Sequence, residues 1–147
     1  MDKILQLNEF FVEGGNREKS HVLLHITEPS TPEEEAKGYF FAICEIGRAD
    51  NQFIVKIQNI IDEVEQKYYE HEGQGGKHPL EMILEKINQE NFALAKTEEH
   101  RLDCVVGIIS EMEVVFSYHG HPLILLFYKN KEGVYNKMDL TDEGNEE

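Results

Sequence analysis

Four side chains in this 147-residue chain are of a type that could ligate a metal ion, Glu18, Glu45, His119 and His121, but no metal site is expected from them, and an ordinary strand-end carboxylate and surface histidines are the simpler reading. In Tyr118-His119-Gly120-His121-Pro122 the two imidazoles stand at alternate positions, which places both on one face of a strand near a turn. Joined by His21 or His25 they would suggest Zn²⁺, although a structural zinc site needs about four ligands and a catalytic one about three. Glu18 and Glu45 offer the carboxylate oxygens that Mg²⁺ or Mn²⁺ takes, but such hard cations need several of them converging. The segment Gly73-Gln74-Gly75-Gly76-Lys77 is glycine-rich like a phosphate loop, yet it lacks that motif's spacing and preceding strand. No Ser-His-Asp string, CxxC pair or nucleophile elbow is present. Cys44 and Cys104 sit inside apolar strand patterns and read as small buried hydrophobes, reduced by default, with a disulfide possible in principle.

The elements that must position these residues follow from periodicity. Ile4–Val12, His21–Thr27 and Tyr39–Ile46 are rich in β-branched and aromatic residues and predict strands. The acidic, proline-broken stretch Pro29–Lys37 predicts a solvated loop. Over Asn51–Glu70, apolar residues from Phe53 to Tyr68 recur at three- and four-residue spacings, which predicts an amphipathic helix with Asp50 as its N-cap. His71–His78 cannot continue that helix. Pro79 fits the first turn of a second helix ending near Thr97. From Arg101 to Thr141 the pattern gives two apolar strands around a tight Ser110–Glu113 connection, a break at Gly120, a third strand, and a hairpin closing at Gly133.

The expected fold class is therefore α+β: mostly antiparallel sheet or sheets with two adjacent helices packed on one face, in the order β-β-β-α-α-β-β-β-β. Residues 1–141 form the single domain and 142–147 a disordered acidic tail. Phe40–Ile43, Cys104–Ile109 and Leu123–Phe127 are apolar at nearly every position, so they should be covered on both faces. The expected core is Phe41, Ile43, Ile57, Ile61, Ile83, Ile87, Val106, Ile108, Leu123 and Leu125. Two helices cover one face, and a second sheet or another subunit must cover the other.

Charge narrows the partners. With 29 acidic against 14 basic side chains the net charge is −15, and no Lys/Arg cluster exists to neutralise phosphates. Nucleic acid and anionic membrane surfaces are excluded on this ground. The apolar run Pro122–Tyr128 is far short of the ~20 residues of a membrane span, and the N-terminus does not resemble a signal peptide. A cytoplasmic protein is expected.

The layout and several local strings resemble the N-terminal half of the metal-dependent type-2C (PPM-type) serine/threonine phosphatases. Tyr39–Ile46 looks like the family strand that ends in Asp-Gly, with Glu45 at the Asp position and Ile46 at the Gly. Tyr118–Pro122 resembles the Val-Gly-Asp-Ser string, keeping Gly120 but carrying His121 for the acidic residue. Leu125–Lys129 and Met138–Thr141 are similar to the strand and Leu-Thr segment that follow, and Asn16-Arg17-Glu18 to an Asn-x-Asp turn. The resemblance implies half of an α/β/β/α sandwich. The arrangement also resembles bacterial proteins that carry a phosphatase-like head without the catalytic set.

In that family two metal ions activate water and clamp the phosphate. Glutamate is one methylene longer than aspartate and would displace the ion, and Ile46 removes the backbone freedom of glycine. The resemblance with these departures implies a non-catalytic, pseudophosphatase-like interaction or regulatory module with no catalytic residues and no cofactor. It would work with a protein partner or as a homodimer. The alternatives are an active Mg²⁺- or Mn²⁺-dependent phosphatase completed by another chain, and an unrelated α+β domain. The expected result with a generic phosphomonoester and excess Mn²⁺ is hydrolysis no faster than background. Metal-dependent turnover that disappears in Glu45→Ala would establish the enzyme instead.

Overall fold

A computed structural model describes residues 6–10, 20–48, 50–72, 76–95 and 101–141. Its elements are β1 (Ser20–Thr27), α1 (Pro32–Lys37), β2 (Tyr39–Gly47), α2 (Asn51–Glu70), α3 (Pro79–Ala95), β3 (Arg101–Ile109), β4 (Val114–His119), β5 (Leu125–Lys129) and β6 (Tyr135–Asp139). The fold is α+β. A four-stranded antiparallel sheet in the order β1-β2-β3-β4 carries α2 and α3 on one face, and β5-β6 form a separate two-stranded sheet. From His21 onward the elements follow the expected order. Of the strand expected over Ile4–Val12, residues 6–10 have no regular structure and the rest lies outside the described residues, as do Glu18 and the tail 142–147.

The long helix α2 forms where its apolar stripe and cap require it. The Asp50 carboxylate accepts from the Phe53 N–H at 2.7 Å, and Phe53, Ile57, Ile61, Val64 and Tyr68 are buried along one side. Leu80, Ile83 and Ile87 of α3 face the same layer. Beneath them lie Phe40, Ala42, Cys44 and Ile46 of β2, all inaccessible to solvent, with Ile108 of β3. Alternation sends every second β2 side chain toward the helices and the others to the opposite face.

Where a loop was expected, Thr31-Pro32-Glu33-Glu34 starts the short α1. Thr31 accepts from the Glu34 N–H at 3.2 Å, and Glu34 accepts from the Ser30 N–H at 2.8 Å. Proline at the first helical position suits this start. The helix ends at Lys37, whose ammonium donates to the carbonyls of Tyr69 at 2.5 Å and His71 at 2.9 Å. A cation there satisfies acceptors that the end of α2 leaves over. Tyr68 donates to the Lys37 carbonyl at 2.9 Å, and burial pushes its hydroxyl pKa up to about 12.

Two expectations need correction. Cys44 and Cys104 stand opposite each other in the β2–β3 register and form a disulfide rather than two free thiols. The core is also narrower than expected. Ile57, Ile61, Ile83, Ile87 and Ile108 are buried, whereas Phe41, Val106 and Leu125 are half-buried. Ile43 is 46% and Leu123 71% exposed. Ile43 points to the sheet face without helices. Leu123 precedes a hairpin that forms its own sheet, so the apolar run Leu123–Phe127 is not covered on both sides.

The contrast between the two environments is measurable. Ile108→Ala removes packing from a side chain only 2% exposed and should cost about 2–5 kcal/mol in denaturant unfolding. Val55→Ala on the outer side of α2, 57% exposed, should cost under about 0.5 kcal/mol.

Candidate functional site

Register decides which of the candidate residues can meet. His119 pairs with Cys104, Cys104 with Cys44, and Cys44 with Leu23. His119 therefore stands three strands from β1, roughly 14 Å at the usual spacing. His21 and His25 cannot join it around one ion. β4 ends at His119, and Gly120 then turns the chain with φ of 78°. His121 lies beyond the strand, so alternation no longer holds the two imidazoles together. Glu45 is exposed on the face away from the helices, opposite Asp103. Among the described residues neither Glu45, His119 nor His121 joins a group of three ligands.

The acid opposite Glu45 is committed elsewhere. Asp103 is buried and accepts from the Arg101 Nε–H at 2.7 Å and from the His121 backbone N–H at 2.7 Å. The amide and the guanidinium hold its carboxyl below the usual carboxylate range. Gly120 is what lets the backbone close over it: a Cβ there would lie 2.3 Å from the Asp103 carboxylate and 2.6 Å from the Leu102 carbonyl. Asp103 thus fixes the end of β4, a role that its place in an apolar strand gave no reason to expect.

Three residues do converge, on the other side of the sheet. His25 on β1 and Asp62 and Glu65 on α2 bring ligand atoms within 4.8 Å of one another. His25 Nε2 lies 2.6 Å from Glu65 Oε2 and 3.1 Å from Thr27 Oγ1, and the Thr27 hydroxyl donates to Glu65 Oε1 at 2.5 Å. Asp62 and Glu65 share a helix face because they are three residues apart. His25 and Thr27 share a strand face because they are two apart. The small Ala42 opposite His25 in the register leaves room on the sheet floor.

A cleft of about 610 Å³ opens between α3 and the β3–β4 half of the sheet. Ile60, Leu84, Val106 and Val115 line it, with Glu81, Glu85, Ser117 and His119 as polar groups. It exists because the helices lie against β2 and β3 and leave β4 beyond their edge. His119 thus borders an apolar cleft rather than a histidine cluster.

Asp103 generates a pH-dependent prediction. A carboxyl whose pKa is lowered by folding adds stability above its unfolded value and loses it as pH falls through the folded one. Asp103→Asn should therefore cost about 1 kcal/mol at neutral pH, the difference between a charged and a neutral hydrogen-bond acceptor. Denaturant unfolding should show that gap closing below about pH 4. Compared with known proteins, the chain matches no family model, no curated protein and no solved structure.

Proposed function

We propose that this chain is a non-catalytic, phosphatase-like interaction module whose working surface is the sheet face opposite the helices, and that a second copy of the chain occupies it. One observation carries the reading. That face presents Val22, Ile43 and Val114 exposed and Ile26, Phe41 and Phe116 half-buried, and among the described residues α2 and α3 lie on the opposite face. Contiguous apolar surface of this kind marks an interface.

Charge and area favour a second copy. Arg101, Asp103 and Glu45 gather at one end of the face, so the acidity that gives the chain its net −15 lies mostly elsewhere. Repulsion between copies is then weakest along this approach, and salt screens what remains beyond ~8–10 Å. At ~4.8 Å between strands and ~3.3 Å per residue, the four strands project on the order of 500 Å². Accessible area exceeds projected area, approaching the ~800 Å² per partner of a standard interface. Two such sheets face to face, with helices outside, would give four layers from two chains. That is the layering the phosphatase resemblance implies within one.

Glu45 stands on this same face, so a different chain bringing further carboxylates to it would make the metal-dependent phosphatase alternative. No helix among the described residues is long and apolar enough to cross a membrane. The cytoplasmic setting is the part of the reading that the Cys44–Cys104 bond weighs against, because the cytosol keeps thiols reduced.

Sedimentation equilibrium at micromolar concentration should give twice the 17.0 kDa chain mass, with association tightening as salt rises. Ile43→Glu should yield a folded monomer. A parent chain that stays monomeric at both low and moderate salt would remove the second-copy reading.

A further inference from the structure

The geometry points to a divalent transition-metal site at the seam between β1 and α2, formed by His25 Nε2, Glu65 Oε2 and a carboxylate oxygen of Asp62. It uses none of the open-face residues and does not depend on the dimer.

Two carboxylates meet a single imidazole here, with their ligand atoms within 4.8 Å of one another, and no lysine or arginine pairs with either acid among the described residues. When His25 Nε2 carries no proton, the two carboxylates face one another with no cation between them, and a metal ion can take that proton's place. One nitrogen and two oxygens suit zinc-like ions, which take imidazole together with carboxylate. Mg²⁺ and Ca²⁺ prefer oxygen-only sets with more ligands.

The surroundings already orient the ligands. Thr27 donates to Glu65 Oε1 at 2.5 Å, which leaves Oε2 turned toward His25, 2.6 Å from Nε2. Gln58 Nε2 donates to Asp62 Oδ1 at 2.8 Å, leaving Oδ2 for an ion. Outer hydrogen bonds of this kind fix metal-binding carboxylates. Two ligands ~2.1 Å from a tetrahedral ion are ~3.4 Å apart, so His25 Nε2 and Glu65 Oε2, 2.6 Å apart, must open by under about 1 Å while the Asp62 carboxylate draws in by about as much. Asp62 is exposed and can make that movement. The ion replaces any proton on His25 Nε2, which passes to solvent as the metal binds. Three protein ligands leave a further coordination position to water. Bound there, the ion ties the edge strand β1 to the middle of α2.

Calorimetric titration of the full chain with ZnCl₂ tests the assignment. The expected result is one saturable zinc site per chain, accompanied by a rise in the thermal midpoint, since a ligand of the folded state stabilises it. Asp62→Asn and His25→Gln should each weaken binding at least about tenfold and abolish the thermal shift. Asp62 is on the surface, so its variant keeps the fold and isolates the ligand effect. Absence of saturable binding at zinc concentrations on the order of 100 µM, where a three-ligand site should fill, would overturn the proposal. So would equal binding in both variants, which would place the ion on other histidines such as His119 and His121. Mg²⁺ binding as tightly as Zn²⁺ would overturn the nitrogen-containing ligand set.

Discussion

The pairing of β2 with β3 is the constraint on which the rest of the molecule depends. These strands are separated in sequence by both long helices, yet they run antiparallel in unbroken register from Tyr39↔Ile109 to Gly47↔Arg101. Bringing them together closes a long loop, and that entropy must be offset by burial along the shared surface. Phe40 and Ile108, opposite each other under the helices, are 0% and 2% exposed. β1 adds to the free side of β2 and β4 to the free side of β3. The floor beneath His25 and the ledge that holds Asp103 both follow from this pair.

The two sheet faces then have different physical histories. On one, the side chains of β2 are sealed by α2 and α3 and behave as an ordinary core. On the other, Gly107 makes room for Phe41, whose ring would lie 2.6 Å from a Cβ at that position. An aromatic ring laid over a strand glycine covers backbone that would otherwise be wet. The face is thus smoothed by its own side chains. The helical layer is incomplete at its margins, where one edge carries the polar His25–Glu65 seam and the other the apolar cleft beside β4.

Much of the architecture was legible because its signals are local. The bounds of α2, the Asp50 cap, the proline opening α3, the Ser110–Glu113 turn and the positive φ of 83° at Gly133 each depend on a few consecutive residues. The short α1 carried such a signal too, in threonine-proline before three glutamates, but the run of acids outweighed it in favour of a loop. What sequence could not supply was register. Cys44 and Cys104 meet only because β2 and β3 align as they do. In the sequence His25 stood only as a companion to His119 and His121, which register places across the sheet. Asp62 and Glu65 resemble any solvated pair on the outside of an amphipathic helix until β1 is laid beneath them.

The disulfide gives this arrangement a covalent topology. Cys44 and Cys104 are 60 residues apart, and the segment between them contains the whole of α2 and α3. The helical layer is therefore a closed ring of chain hung from two neighbouring strands, with β1 and β4 outside the ring. A single backbone cut anywhere within the ring leaves one covalent molecule, its two pieces still joined at the centre of the sheet. A cut outside it releases a fragment. Damage to the connection between the helices would then not disperse the strands, and under oxidising conditions the sheet keeps a memory of its register even when the helices above it are lost.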